Sequence, residues 1–278
     1  MDVARSSEGL VINQMKYVLY LLNEAGMLGC EPADTPIEVS LKFTKETCTL
    51  VDKERFQRLV GKLIYLSLTR PDIAFPVNVI SQHMTNPNEK HMTAANRILR
   101  YLKKTPEHGL LFKKTQDRTV RIFTDSSWAG ELTDRRSTSG YCAFVWENLV
   151  TWRSKKQSVV SRSSAEVEFR ALALGMCEGI WLLKLLKELH TNQEDKFEVL
   201  CDNQSAIQIT KNPVQHDRTK HVEIDKHFIA EKIVNGIATL SYIPTGGQLA
   251  DILTKALSKT IFDDFLSKLG LYNVYSPT

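Results

Sequence analysis

The sequence predicts an α/β protein in which a mixed five-stranded sheet flanked by helices follows a mainly helical region. Three observations carry this. The apolar pattern changes near residue 115, from residues three and four apart to short alternating runs. Three strand-like runs then follow one another directly, and after a long helical stretch strand and helix signals alternate. Acidic residues stand where two of those strands end, the edge at which sheets with parallel strands hold their ligands.

Taken in order, "QMKYVLYLLNEAGML" is a helical run closed by Gly29 and the loop "PADTP". "DKERFQRLVGKLIYLSLT", "RPDIAFPVNVISQHM" and "NEKHMTAANRILRYLKK" repeat apolar residues at helical spacing and are divided by Pro71 and "TNPN". They predict three helices with short connections. Past residue 115, "TVRIFTD" sets Val120, Ile122 and Thr124 on one side and Arg121 and Phe123 on the other. "TSGYCAFVWEN" and "LVTWRS" form a hairpin turning near Glu147 and Asn148. "SSAEVEFRALALGMCEGIWLLKLLKEL" predicts a long helix, "FEVLCD" a strand, "NQSAIQIT" and "HVEIDKHFIAEKIVNG" helices, "IATLSYIP" a strand and "QLADILTKAL" a last helix. Strands joined through helices run parallel, so the first, fourth and fifth strands share a direction. The chain divides into a helical region 1–112, a sheet-containing domain 117–258 and a tail helix 259–278.

With 278 residues, 42% hydrophobic and 24% charged, the chain can bury a substantial core in one or two domains. No run reaches the roughly 18 apolar residues of a membrane span, and "MDVARSSEG" lacks the apolar core of a secretory signal. No membrane partner is expected, and the protein is read as intracellular. Cys30, Cys48, Cys142, Cys177 and Cys201 include no C-x-x-C pair and predict buried thiols rather than disulfides or a zinc site. The net charge of +4 permits a polyanion partner, and Arg97, Arg100, Lys103, Lys104, Lys113, Lys114, Arg118 and Arg121 crowd one segment. A solvated helix face would look the same.

Four acids carry the functional reading. Asp125 ends the first strand and Asp202 the fourth, Glu166 lies in the first turn of the long helix, and Asp251 follows the fifth strand. Carboxylates gathered at one edge repel one another unless a cation compensates them. Hard oxygen ligands point to magnesium, with manganese able to substitute. Each acid also has a local explanation. Asp125 suits a turn, Glu166 suits the N3 position of a capping box from Ser163, Asp202 suits a helix N-cap, and Asp251 suits a solvated helix face beside Lys255. Glu166 and Glu168 stand about 200° apart around a helix, so only one can face the sheet edge. Spacing leaves that choice open.

"FTDSSWAG", "RRSTSGYC", "SRSSAEVEFRAL", "CDNQSAIQI", "RTKHVEIDKHFI" and "QLADILTKAL" resemble the ribonuclease H domain that ends a copia-type retrotransposon Pol polyprotein. "RFQRLVGKLIYLSLTRPDIAF" and "ILRYLKKTPEHGLLF" are similar to the thumb and connection region of the same reverse transcriptase. The resemblance implies a ribonuclease H-like fold over 117–258, a reverse transcriptase remnant over 1–112, and hydrolysis of the RNA strand of RNA:DNA hybrids. It also implies two magnesium ions held by Asp125, Glu166, Asp202 and Asp251, and it favours Glu166 over Glu168. Asp125 would bridge both ions, Glu166 and Asp202 would complete the site for the attacking water, and Asp251 would hold the second ion. The cut would leave a 5′ phosphate and a 3′ hydroxyl.

RNA is read by shape and its 2′ hydroxyls, and Ser127, Arg135, Arg136, Asn203 and Gln204 are candidates to touch sugar or phosphate. Arg218 and Lys220 suit phosphate contacts or solvated charge. His216, His221 and His227 lack the spacing of a zinc site. Thr245, Gly246 and Gly247 stand where many ribonucleases H carry a histidine, which implies a different substrate grip or product release. The Y-x-D-D polymerase element is absent, so no DNA synthesis is expected from this chain. That leaves a catalytically silent, nucleic-acid-binding transposon remnant as the alternative. An integrase is disfavoured by Glu166 together with Asp251. Expected partners are the RNA:DNA hybrid and the rest of a Pol polyprotein, in a cytoplasmic virus-like particle or the nucleus.

Overall fold

The computed structural model describes residues 1–5, 7–41, 43, 49–128, 135–161, 163–191, 194–211 and 223–274. Its elements run β1 (Asp2–Arg5), β2 (Gly9–Asn13), α1 (Met15–Glu24), α2 (Lys53–Leu66), α3 (Ala74–Ser81), α4 (Glu89–Lys104), β3 (His108–Lys113) and β4 (Val120–Ser127). They continue with β5 (Thr138–Val145), β6 (Asn148–Lys156), α5 (Ser164–Glu188), β7 (Phe197–Cys201), α6 (Gln204–Lys211), α7 (Glu223–Val234), β8 (Ala238–Tyr242), α8 (Lys259–Lys268) and β9 (Leu271–Asn273). The described residues fall into two compact units, Met1–Lys114 with Lys255–Thr278, and Thr115–Gly130 with Asp134–Thr254.

The first unit contains the four predicted helices. Asp52 caps α2 by accepting the Arg55 N–H, and Asn88 and His91 form a reciprocal capping box on α4. Their apolar faces meet in a core that includes Phe56, Val60, Leu63, Ile98, Leu99 and Leu102. Within that unit Arg70 is buried and donates to both carboxylate oxygens of Asp72, at 2.6–3.2 Å, and to the Thr105 carbonyl at 2.8 Å. The Tyr101 hydroxyl donates to the same Asp72 at 2.6 Å. The motif "TRPDI" therefore supplies a paired buried charge, which is tolerated because every member is satisfied.

A four-stranded antiparallel sheet, ordered β1-β2-β3-β9, completes this unit and is an addition to the predicted helices. The segment 259–278, read from the sequence as a tail helix, holds α8 and then β9, which pairs with β3. The basic cluster is largely committed to neighbours. Arg97 pairs with Glu38 at 2.5 Å, Lys104 with Asp34, Lys103 with the Leu28 carbonyl, and Arg100 with the Glu31 carbonyl at 2.7 Å. These pairings fit a solvated helix face.

In the second unit the sheet is ordered β6-β5-β4-β7-β8, with β4, β7 and β8 parallel and β5 and β6 antiparallel to their neighbours. This is the predicted mixed five-stranded sheet. The β5–β6 hairpin turns at Trp146 and Glu147, both at positive φ, and the Asn148 side chain donates to the Trp146 carbonyl. Helix α5 covers the sheet with Leu172, Met176 and Leu182 against Val120, Ile122, Phe197 and Val199. At Gly175 a Cβ would come within 2.4 Å of the Thr124 methyl, so the helix backbone lies against β4 in a way no other residue permits. Cys142 and Cys201 are buried as predicted, whereas Cys30 is half-buried and Cys177 exposed; Cys48 lies outside the described residues.

Candidate active site

Thr124 is buried under α5, and the next residue, Asp125, is 3% exposed inside β4 opposite Gly140. The β4–β7 register pairs Phe123 with Leu200, so Cys201 and Asp202 arrive beside Thr124 and Asp125 at the carboxyl edge of two parallel strands. Asp202 is not the cap of α6. Asn203 takes that role, its Oδ1 accepting the Ala206 N–H at 2.9 Å, while Asp202 Oδ2 accepts the Thr245 hydroxyl at 3.1 Å. Asp251 follows β8 on a 3-10 turn, Leu249–Leu253, and not on the helix predicted from "QLADILTKAL". Among the described residues, Asp125, Asp202 and Asp251 each bring a carboxylate oxygen within 4.8 Å of the other two.

The glutamate in this cluster is Glu168. Its carboxylate, with Cys201 Sγ and Asp202, forms a second group of possible ligand atoms lying within 4.8 Å of one another. Burial, and next the negative charges of Asp125 and Asp202, push its carboxyl up to about 9. Glu166, expected at this edge, points elsewhere: its Oε1 accepts from Arg170 Nη2 at 3.1 Å, and its backbone N–H is capped by Ser163 Oγ at 3.2 Å. The correction is rotational. Glu168 lies four and seven residues before Leu172 and Gly175 on the stripe that packs on the sheet, whereas Glu166 shares its stripe with Arg170 and exposed Cys177.

Of the predicted nucleic-acid contacts, Ser127 is half-buried and its Oγ accepts the Thr138 N–H at 3.3 Å, tying β4 to β5. Asn203 is committed to capping α6, and Gln204, Arg135 and Arg136 are exposed. Arg218 and Lys220 lie outside the described residues, as do His216 and His221. His227 is exposed and faces Glu223. Two residues not singled out in the sequence stand behind the acids. Gln248 Nε2 donates to the Thr124 carbonyl at 2.9 Å, and the Thr254 hydroxyl donates to Asp125 Oδ2. Trp128, three residues past Asp125, is an exposed aromatic at the same strand end.

Four carboxyl groups converging on one edge suit a hard divalent cation; burial first, and the charges of Asp125 and Asp202 second, push the Glu168 carboxyl up. A mixed sheet in this strand order, with acids at the carboxyl ends of β4 and β7, is the arrangement that the ribonuclease H resemblance of the sequence implies. No family model matches the chain. The Pol polyprotein of transposon RE1 from Arabidopsis thaliana is 40% identical over 274 residues, covering 98% of this chain and 19% of its own length. That of transposon TNT 1-94 from Nicotiana tabacum is 34% identical over 277 residues, covering 97% of this chain and 21% of its own. Among solved structures, ribonuclease H1 from the archaeon Halobacterium salinarum aligns with a TM-score of 0.35 and 14% identity, over 52% of this chain and 98% of that one. The chain belongs to the copia-type retrotransposon Pol family and spans about a fifth of the length of those polyproteins. No helix among its described residues is long and apolar enough to cross a membrane.

Proposed function

We propose that the chain is the ribonuclease H portion of a copia-type Pol polyprotein, hydrolysing the RNA strand of RNA:DNA hybrids inside the cell with Asp125, Glu168, Asp202 and Asp251 as its catalytic carboxylates. The observation that carries this is their convergence from four separate parts of the chain, β4, α5, the segment after β7 and the turn after β8. Asp125, Asp202 and Asp251 supply the all-oxygen donor set that magnesium or manganese prefers, with Glu168 adjoining Asp202. Bound there, divalent ions would activate the attacking water and neutralise the leaving 3′ oxygen.

The protein's own contribution is placement. The Thr245 hydroxyl holds one oxygen of Asp202, and Thr254 holds one oxygen of Asp125. Arg135, Arg136 and Gln204 are exposed and are candidates to meet phosphate and sugar, and Trp128 adds an exposed aromatic face at the same strand end. Two domains, 1–112 and 117–258, fit this reading, the first as the reverse transcriptase thumb and connection.

The test is cleavage of an end-labelled RNA:DNA hybrid by the full chain with magnesium or manganese. Asp125→Asn, Glu168→Gln and Asp202→Asn should each abolish cleavage, and Glu166→Gln should retain most of it. Wild-type protein that binds the hybrid and cuts it with neither metal would establish the silent remnant instead. Loss of activity in Glu166→Gln with retention in Glu168→Gln would reverse the choice between the two glutamates.

A further inference from the structure

Asp251 is flanked at three residues on either side by two buried polar side chains, Gln248 at 0% and Thr254 at 1% exposure. Both reach β4. Gln248 Nε2 donates to the Thr124 carbonyl at 2.9 Å, and its Oε1 accepts the Ala250 N–H at 3.3 Å, so one amide joins the strand to the start of the 3-10 turn. The Thr254 hydroxyl lies near three acceptors: the Ala250 carbonyl at 3.5 Å, the Asp251 carbonyl at 3.3 Å and, closest, Asp125 Oδ2. A hydroxyl has one proton to give, and a carboxylate is the stronger acceptor, so the proton goes to Asp125.

The approach of Thr254 depends on the residue opposite Asp125. Gly140 pairs with Asp125 in the β4–β5 register, and a Cβ there would come within 2.7 Å of the Thr254 methyl and 2.8 Å of Leu253 Cβ. Real Cβ contacts are longer than that. The glycine in "TSGYC" thus leaves the space through which the turn carrying Asp251 closes on the strand carrying Asp125.

We propose that Thr254 and Gln248 are positioning residues that fix the Asp125 and Asp251 carboxylates relative to one another, so that the pair is set for a divalent cation before one binds. The inference rests on the metal-dependent ribonuclease reading and extends it to residues that touch neither cation nor substrate. Acids brought together from β4 and from a short 3-10 turn have no common backbone to set their distance. The hydroxyl and the amide supply that connection.

The test is direct manganese binding to the full chain, read by electron paramagnetic resonance without substrate, together with the magnesium dependence of hybrid cleavage. Removing such an outer hydrogen bond costs metal affinity by about 10- to 100-fold. Thr254→Val keeps the shape and loses the donor, and should weaken manganese binding and raise the half-maximal magnesium concentration by that factor, with a smaller change in the rate at saturating metal. Thr254→Ser restores the donor and should return both within about 3-fold of wild type, and Gly140→Ala should reproduce the valine variant. Wild-type manganese affinity in Thr254→Val overturns the proposal. So does equal weakening in the valine and serine variants, since the hydroxyl would then not be the cause. Asp125→Asn is the separate control. If it binds manganese and cleaves like wild type, the ribonuclease reading itself fails, whereas its loss beside an unaffected Thr254→Val overturns only the positioning role.

Discussion

Glu168 gives the fold a pH dependence that can be measured apart from catalysis. Burial and the adjoining Asp125 and Asp202 raise its carboxyl from 4.5 to about 9, so in metal-free protein at pH 7 the folded state holds it protonated while the unfolded chain ionises it. A raised folded value contributes stability that is full below pH 4.5 and is lost as pH climbs toward about 9. Between pH 4.5 and 7 the loss accumulates at about 1.4 kcal/mol per pH unit, or about 3 kcal/mol in all. Glu168→Gln keeps the size and a hydrogen-bonding amide but cannot titrate. In urea denaturation with EDTA it should therefore be more stable than wild type by about 1–3 kcal/mol at pH 7, the gap closing as pH falls to about 4.5. On the proposed metal-dependent function, added magnesium should stabilise wild type more than the variant, because the ion would bind best to a native state with its full carboxylate set. Stability curves that run parallel from pH 5 to 9 in EDTA would refute the reasoning, because Glu168 would then ionise as freely in the folded chain as in the unfolded one.

Two further predictions concern the first unit. Asp72→Asn leaves the Arg70 guanidinium buried without its counter-charge, and should cost about 3–5 kcal/mol in urea denaturation; a loss under about 1 kcal/mol would mean the pair is not sealed from water. His91 is pushed down to about 4, first by burial and then by His83, whose ring stacks on it at 3.8 Å, and its Nδ1 accepts the Asn88 N–H in the α4 cap. A depressed base gives stability that is full above about pH 6.5 and lost as pH falls toward 4. That acid slope should flatten in His91→Gln, and an unchanged slope would remove His91 as its source.

The second unit was legible because its signals are local. Val120, Ile122 and Thr124 alternate, the hairpin follows at once, and helices separate the parallel strands, so strand order and direction come from periodicity and connection alone. The sheet of the first unit was not. β1 is four residues with most side chains exposed, β9 is three, and β3 finds its partners about a hundred residues upstream and more than a hundred and fifty downstream. Pairing of that kind depends on long-range contacts that no window of sequence displays. "QLADILTKAL" carries apolar spacing suited to a helix, but Gln248 and Thr254 spend their polar groups on β4, and the backbone closes as a 3-10 turn. The glutamate was within reach of the sequence: Glu168, Leu172, Gly175 and Gly179 form one stripe at spacings of four, three and four, and it is the stripe with glycines that can lie against a sheet.

That stripe also explains why the acids can be held so close. At Gly175 a side chain would collide with Thr124, and at Gly179 with the Phe197 ring, so α5 is seated on β4 and β7 by backbone contact. Glu168, two turns before Gly175, has little freedom to retreat from Asp125 and Asp202 when their charges oppose it. On the far side, Gln248 and Thr254 fasten the Asp251 turn to Thr124 and Asp125. Repulsion that an exposed cluster would relax by moving side chains is here set against helix packing on one side and buried hydrogen bonds on the other. Such a site sacrifices native stability for a fixed arrangement of charge, the usual relation between a functional site and its scaffold. On the proposed metal-dependent function, a cation would recover part of that loss only if it fitted the spacing the scaffold imposes. Gly140, Gly175, Gln248 and Thr254 would then bear on metal selection as much as the carboxylates themselves.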